Sequence, residues 1–313
     1  MRLQQTIRNA ISVSGVGLHS GKKTRLTLHP APPNTGLAFH KNTNGTTETC
    51  PVNIKYLHPT DLCTALRSNS LHIQTVEHVL AALGGLEIDN AYLELIGNEI
   101  PVLDGSSAPF VSLIHEAEIV EQPTPRTYLK IVRPIMIKHG EKLLSVHPSS
   151  LQKISYTIQY DHPLIQSQTY EYDASPSEFQ RAIAQARTFA FENEVEGLWS
   201  RGQGLGGSLD NTLVFSDTDL LNDSGLRFPN ECIRHKVLDL IGDMTLLGLP
   251  IIGHFIADRA GHQLHAELVS AILANTDSWI LLNTVEDEKE TVHTPSPIST
   301  STDSQTQPVF SSL

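Results

Sequence analysis

The chain has 313 residues, of which 39% are apolar, and a formal net charge of −12. This length supplies enough apolar surface for two modest hydrophobic cores, whereas the negative charge argues against nucleic acid as a partner. No stretch approaches the length of a transmembrane helix and the N-terminus lacks the apolar core of a signal peptide, so we expect a cytoplasmic protein.

The three cysteines are far apart in the sequence, at Cys50, Cys63 and Cys232. An odd, unclustered set is typical of reduced thiols rather than of a disulfide scaffold. The chain contains no Cys-x-x-Cys pair, so we expect no zinc-thiolate centre.

The first strongly periodic segment covers residues 74–85. Its apolar residues repeat at helical spacing before two glycines, which predicts a helix that ends at Gly85: Val76, Val79, Leu80 and Leu83. Glu77 and His78 are neighbours in this helix, so their side chains point about 100° apart around its axis. His78 could bind a metal while Glu77 acts as a general base, although an ordinary surface pair has the same sequence.

A break between two halves is predicted at residues 121–126, where Pro123 and Pro125 interrupt the chain. Residues 76–95 and residues 240–256 each have the pattern of a helix followed by a strand. This weak internal similarity suggests a duplicated domain.

Residues 182–198 form another periodic segment, which we predict to be largely helical. Its apolar residues are Ile183, Ala186, Ala190, Val195 and Leu198. Such a segment could line an apolar passage.

The most informative run covers residues 234–243. His235 and Asp239 are one helical turn apart and therefore share a face. An imidazole nitrogen and a carboxylate oxygen so placed could hold a metal ion from one rigid element, with other elements supplying a third ligand. An ion pair on an exposed helix has the same spacing, and it remains the alternative.

The next predicted elements are a buried strand at residues 251–257, a glycine turn and a helix that begins near Gln263. His262 lies in the turn, where catalytic groups are common. Most of the fifteen histidines must be ordinary surface or packing residues, so position alone does not assign His262 a role.

From about residue 285 the chain becomes acidic and then rich in Ser, Thr, Pro and Gln. This composition buries little apolar surface, so residues 285–313 are predicted to be a disordered tail. A dispensable tail and a partner-binding tail both remain open.

Six short motifs occur in one fixed order along the chain: Gly15-Val-Gly-Leu-His-Ser-Gly21, Thr75-Val-Glu-His78, Arg187-Thr-Phe189, Gly206-Gly-Ser208, Arg234-His-Lys236 and Gly261-His262. Each motif is weak alone. Together, from about Leu3 to about Asn283, they closely resemble the UDP-3-O-acyl-N-acetylglucosamine deacetylase family. Its members are zinc amidases that carry out the committed step of lipid A synthesis in Gram-negative bacteria.

The resemblance implies an α+β fold of two domains with similar topology, each carrying an insert. Each domain would be a sheet with helices on one face, and the helices would pack between the two sheets. The domains would cover residues 1–122 and 127–284, with an acyl-chain-binding insert around residues 152–200. The metal site would then lie between the halves.

The resemblance also implies that His78, His235 and Asp239 bind Zn²⁺ and that Glu77 is the general base for attack of water on the acetamide carbonyl. Iron(II) is an alternative metal in the cell, because histidine and carboxylate ligands accept several metals.

Four further residues would act on the substrate or through one another. Thr188 would donate a hydrogen bond to the oxyanion, and His262 would protonate the departing amine. A protonated His262 needs a compensating anion, because a helix beginning beside it disfavours positive charge, and Asp243 would supply this anion. Lys236 would contact substrate phosphate or the developing charge.

The expected partner is a small UDP-sugar that carries an acyl chain, and we expect a monomer. Phe189 would pack on the glucosamine ring, Arg259 would meet the diphosphate and Tyr160 would stack on uracil. Thr60 and Cys63 would lie in a substrate-facing loop.

Two other classes remain open on the residues alone. One is a zinc hydrolase with a different amide substrate. The other is a catalytically silent metal-binding or scaffold protein, in which Glu77 could be replaced without consequence.

Overall fold

The computed structural model describes residues 2–43, 46–60, 62–69 and 71–283. The predicted tail, residues 285–313, lies outside the described residues. Within them, several sheets combine with helices, which confirms the predicted α+β fold class. No helix in the described part of the chain is long and apolar enough to cross a membrane.

The first half is built on a five-stranded sheet. In spatial order its strands are β2 (Ile11–Val16), β3 (Lys23–Pro30), β9 (Ala91–Ile96), β4 (Leu37–Thr43) and β5 (Thr46–Pro51). β9 runs antiparallel to β3 and parallel to β4. Alternate residues of β3, including Leu26 and Leu28, are buried, so one face of this sheet contributes to the core.

The second half repeats this topology. In spatial order its strands are β12 (Ile135–His139), β13 (Lys142–His147), β19 (His254–Asp258), β14 (Lys153–Gln159) and β15 (Ser167–Asp173). β19 is antiparallel to β13 and parallel to β14, as β9 is to β3 and β4. The same pairing in both halves supports the duplication suggested by the sequence.

The remaining strands form small sheets. They are β1 (Leu3–Ile7) with β10 (Ile119–Pro125); β6 (Leu57–His58), β7 (Ala65–Ser68) and β8 (Leu71–Ile73); β11 (Thr127–Ile131), β18 (Ile251–Ile252) and β20 (Trp279–Asn283); and β16 (Phe189–Phe191) with β17 (Leu213–Phe215). β10 continues through the segment predicted to be a break. Its two prolines are tolerated because a two-stranded sheet leaves each strand one unpaired edge.

The prediction of a largely helical segment at residues 182–198 holds at its two ends and is wrong for residues 184–191. A short helix, α3 (Pro176–Glu178), leads into a π-helical segment at Phe179–Ile183, and the chain then passes through β16 before α4 (Glu192–Ser200). Parallel pairing of β16 with β17 overrides the local helical spacing. The aromatic residues Phe189 and Phe191 also favour a strand.

The other helices are α1 (Glu77–Gly85), α2 (Ala108–Glu116), α5 (Glu231–Met244) and α6 (His262–Ala274). The helices predicted at residues 76–85 and from near Gln263 are confirmed, the second beginning one residue earlier than predicted. α1 packs on α5 at very short range: a Cβ on Gly242 would lie 2.1 Å from the carbonyl oxygen of Glu77. Since glycine has no Cβ, the N-terminus of α1 can lie against the second half of α5.

Candidate metal centre and active site

Three possible metal ligands converge where α1 meets α5. His235 Nε2 lies 3.4 Å from Asp239 Oδ1, and His78 Nε2 lies 3.9 Å from the same oxygen. One ligand atom from each residue lies within 4.8 Å of the others, and all three residues are buried. The structure therefore brings together the three side chains that the sequence indicated as ligands, from both halves of the chain.

The protonation of these groups suits a cation. Burial lowers the pKa of His78 to about 3, and it also lowers the pKa of His235. The Nδ1 of His235 donates a hydrogen bond to the carbonyl oxygen of Ala186 over 2.9 Å, so its Nε2 keeps a lone pair that faces Asp239. Two neutral imidazoles and a carboxylate form a donor set that fits zinc and leaves room for further ligands.

Lys236 keeps Asp239 ionised. Burial alone would raise the pKa of Asp239, but Lys236 and the neighbouring histidines hold it well below its usual range. The Nζ of Lys236 donates to Asp239 Oδ2 over 2.6 Å, which leaves Oδ1 facing the two histidines. Lys236 thus orients a candidate ligand, a contact that the sequence did not predict.

Glu77 lies beside this cluster and is almost completely buried. Its Oε2 accepts a hydrogen bond from the backbone N–H of Thr64 over 3.0 Å. Burial raises the pKa of Glu77 to about 8, so its carboxylate is a stronger base than that of an exposed glutamate.

A hydrogen-bonded pair links α5 to the start of α6. The Nδ1 of His262 donates to Asp243 Oδ2 over 2.6 Å. Burial alone would lower the pKa of His262, but the charge and hydrogen bond of Asp243 raise it to about 9. Asp243 therefore supplies the compensating anion that a protonated His262 at a helix N-terminus requires.

Two residues at this site were missed by sequence reasoning. The hydroxyl of Thr64 donates to Asp243 Oδ1 and lies 3.2 Å from His262 Nδ1. His265 also donates through Nδ1 to Asp243 Oδ2, over 2.7 Å. His265 follows His262 by three residues, a spacing that places both on one helix face and could have indicated it. No comparable signal marks Thr64.

The loop 186–188 carries Thr188 two residues after Ala186, whose carbonyl oxygen binds His235. The backbone N–H of Thr188 donates to Gly105 over 2.9 Å, and its carbonyl accepts from Leu213 over 2.8 Å. Arg187, between Ala186 and Thr188, is buried against Glu231, with Nε and Oε1 2.8 Å apart. The same loop thus contacts His235 and carries the candidate oxyanion donor.

The predicted substrate contacts are less closely grouped. Tyr160 packs edge-on against Phe189, with ring centroids 5.6 Å apart, and the two form one aromatic cluster. Thr60 donates its hydroxyl to the carbonyl of Cys63, whose buried thiol has a pKa raised to about 12. Arg259 pairs with Glu141 and Asp258, so a role at a diphosphate would require it to exchange one of these partners.

Comparison with known proteins extends over nearly all of the described chain. Residues 4–274 match the family model described as UDP-3-O-acyl N-acetylglycosamine deacetylase. A protein of Acidithiobacillus ferrooxidans named UDP-3-O-acyl-N-acetylglucosamine deacetylase is 42% identical over 285 residues, which are 90% of this chain and 94% of that relative. Proteins of the same name from Oleidesulfovibrio alaskensis and Coxiella burnetii are 43% and 39% identical, covering 88% and 94% of this chain and 91% and 98% of their own.

The members of this family are metalloenzymes, in agreement with the buried His-His-Asp cluster between the two halves. The extent of the match and the identity to several relatives lead to one assignment. The chain belongs to the UDP-3-O-acyl N-acetylglycosamine deacetylase family.

Proposed function

We propose that this protein hydrolyses the N-acetyl group of UDP-3-O-[(3R)-3-hydroxyacyl]-N-acetylglucosamine, giving UDP-3-O-acyl-glucosamine and acetate, the committed step of lipid A biosynthesis. The observation that carries the proposal is one constellation: His78, His235 and Asp239 converge beside Glu77, with His262 held by an anion nearby. The names of the relatives agree with it.

His78, His235 and Asp239 would hold the metal, for which zinc is our proposal. Bound there, zinc supplies a Lewis acid that polarises a carbonyl oxygen and lowers the pKa of water. Iron(II) is the alternative occupant.

Glu77 is the proposed general base. Its carboxylate takes the proton from the attacking water, and its pKa of about 8 is suited to holding that proton afterwards. The N–H of Thr64 fixes Oε2, which orients the carboxylate toward the site.

His262 is the proposed general acid. An amide nitrogen is a poor leaving group until it is protonated, so breaking the carbon–nitrogen bond needs a positioned acid. A pKa of about 9 keeps His262 protonated at neutral pH, and its side chain is partly exposed while Asp243 is buried behind it.

Thr188 and Lys236 are proposed to stabilise negative charge. The hydroxyl of Thr188 has no hydrogen-bond partner among residues 2–43, 46–60, 62–69 and 71–283, so it is available to an oxyanion. Lys236 is a buried cation whose charge is directed at Asp239, close enough to the cluster to act on substrate as well.

The remaining substrate would extend over the insert of the second half. Phe189 and Tyr160 form an aromatic wall for the sugar and the uracil. In α4, Val195 and Leu198 are half-buried apolar residues that suit an acyl chain. Thr60 and Cys63 line a neighbouring cavity with His19, and they precede Thr64, whose N–H binds Glu77. Arg259 would reach the diphosphate only after releasing a carboxylate.

The test is acetate release from this substrate by purified protein. Three samples are compared: untreated, chelated, and chelated with zinc restored. Release that is lost on chelation and returns with zinc is expected. No release from folded, zinc-loaded protein would refute the substrate, and release that is insensitive to chelation would refute the metal.

A further inference from the structure

A single oxygen atom of Asp243 accepts two imidazole N–H groups. His262 Nδ1 lies 2.6 Å from Asp243 Oδ2, and His265 Nδ1 lies 2.7 Å from the same atom. The other oxygen, Oδ1, accepts the hydroxyl of Thr64. A carboxylate surrounded by three donors cannot rotate without losing at least one hydrogen bond.

The two imidazoles have different surroundings. The side chain of His265 is completely buried, whereas that of His262 is 17% exposed. Both lie in the first turn of α6, and their rings are nearly perpendicular, with centroids 5.9 Å apart. This geometry lets both Nδ1 atoms reach one oxygen while only His262 is open to a substrate.

His265 contributes a hydrogen bond without a competing charge. An ionised carboxylate can only accept, so the Nδ1 of His265 must carry a proton. Burial lowers the pKa of His265, which keeps the ring neutral. On the other side of the ring, the Nε2 of His265 lies 3.4 Å from the hydroxyl of Tyr156, and this hydroxyl donates to the carbonyl of Ala260 over 2.8 Å.

We propose that His265 is a positioning residue for the reaction. It fixes Asp243 Oδ2 in the orientation that holds His262 by Nδ1 and leaves Nε2 of His262 free to serve the leaving amine. The inference rests on the proposed function, because it is the proposed acid role of His262 that gives this orientation its use.

The test compares two substitutions in the zinc-loaded, full-length protein. His265→Leu removes the donor and fills much of the space. His265→Asn retains an amide N–H close to the place of Nδ1–H. We expect kcat to fall about 10- to 100-fold in His265→Leu and to recover most of this loss in His265→Asn. KM should stay within about twofold in both, because His265 does not contact substrate.

Leu268→Ala is the matched control, because Leu268 is a buried residue of α6, one turn further on. It should lower Tm at least as much as His265→Leu does, with kcat close to that of the wild type. An equal loss of kcat in Leu268→Ala would assign the effect to packing. An Asn variant no more active than the Leu variant would also overturn the proposal.

A second measurement needs no turnover and separates this inference from the proposed function. In NMR spectra of the metal-free protein, two hydrogen-bonded Nδ1–H protons are expected far downfield, one from each imidazole. In His265→Leu, one signal should vanish and that of His262 should move. An unmoved His262 signal would overturn the positioning role, whereas an inactive wild type with both signals would overturn only the proposed function.

Discussion

Replacing Glu231 by Gln should show how the loop 186–188 is held against the metal cluster. Glu231 is the first residue of α5 and is 1% exposed. It accepts four hydrogen bonds: from the backbone N–H, Nε and Nη2 of Arg187, and from the backbone N–H of Arg227. A glutamine has the same shape, but its amide NH₂ would face donors that now meet an oxygen.

The expected loss of stability follows from the charge of Arg187, which would stay buried without its partner. Removing one partner of a buried ion pair leaves the other charge uncompensated, which destabilises a protein by about 3–5 kcal/mol. The free energy of unfolding of a typical folded protein is roughly 5–15 kcal/mol, so the variant should still fold. Because Ala186 holds His235 and Thr188 follows Arg187, zinc affinity or kcat should also fall, by about 10- to 100-fold.

Denaturant unfolding gives the stability change, and competition with a chelating dye gives the zinc affinity. Asp173→Asn is the control, since Asp173 belongs to an exposed pair with Lys153 and should change stability by no more than about 0.5 kcal/mol. If the free energy of unfolding of Glu231→Gln is within about 1 kcal/mol of the wild-type value and zinc binds equally well, this ion pair does not hold the loop 186–188.

Three other substitutions test separate roles. Glu77→Gln should keep bound zinc and lower kcat by about 100-fold or more in the acetate-release assay, and a fully active variant would exclude Glu77 as the base. His78→Ala should lose zinc on dialysis, as measured by metal content, and full retention would exclude His78 as a ligand. In Asp243→Asn the loss of the anion should lower the pKa of His262 from about 9. Since the protonated form is active, the alkaline fall in kcat/KM should move to lower pH, and an unmoved fall would exclude His262 as the acid.

Much of the helical structure could be predicted because local spacing determines it. In α1 the apolar residues repeat at helical intervals up to the diglycine, and in α5 the four-residue spacing puts His235 and Asp239 on one face. The meeting of His78 with α5 could not be predicted from periodicity, since it depends on the packing of two helices far apart in sequence. Only the family resemblance indicated it.

The features that the sequence did not predict also depend on contacts between different parts of the chain. In the middle of residues 182–198, helical spacing was overridden by the pairing of β16 with β17, a strand that follows more than twenty residues later. The contacts of Thr64 depend on one backbone N–H and one hydroxyl that a loop delivers to α1 and α5. Such contacts follow no repeating spacing in the sequence, whereas His265 follows His262 at the i, i+3 spacing of a helix.

The duplicated topology explains why the site lies between the halves. In each half a long connection, called an excursion here, joins the fourth strand of the five-stranded sheet to the helix that precedes the fifth strand. In the first half, residues 52–76 connect β5 to α1, and in the second half residues 174–230 connect β15 to α5. Because α1 and α5 pack on each other, both excursions end at the metal cluster.

The two excursions contribute different chemistry to that common point. The first contributes Thr64, which fixes the proposed base Glu77 through its N–H and the anion of the proposed acid through its hydroxyl. The second contributes the carbonyl of Ala186, which orients His235, and carries Thr188 two residues further along the chain. Since each half supplies only part of the ligands and their supports, a complete site requires the close α1–α5 contact that Gly242 permits.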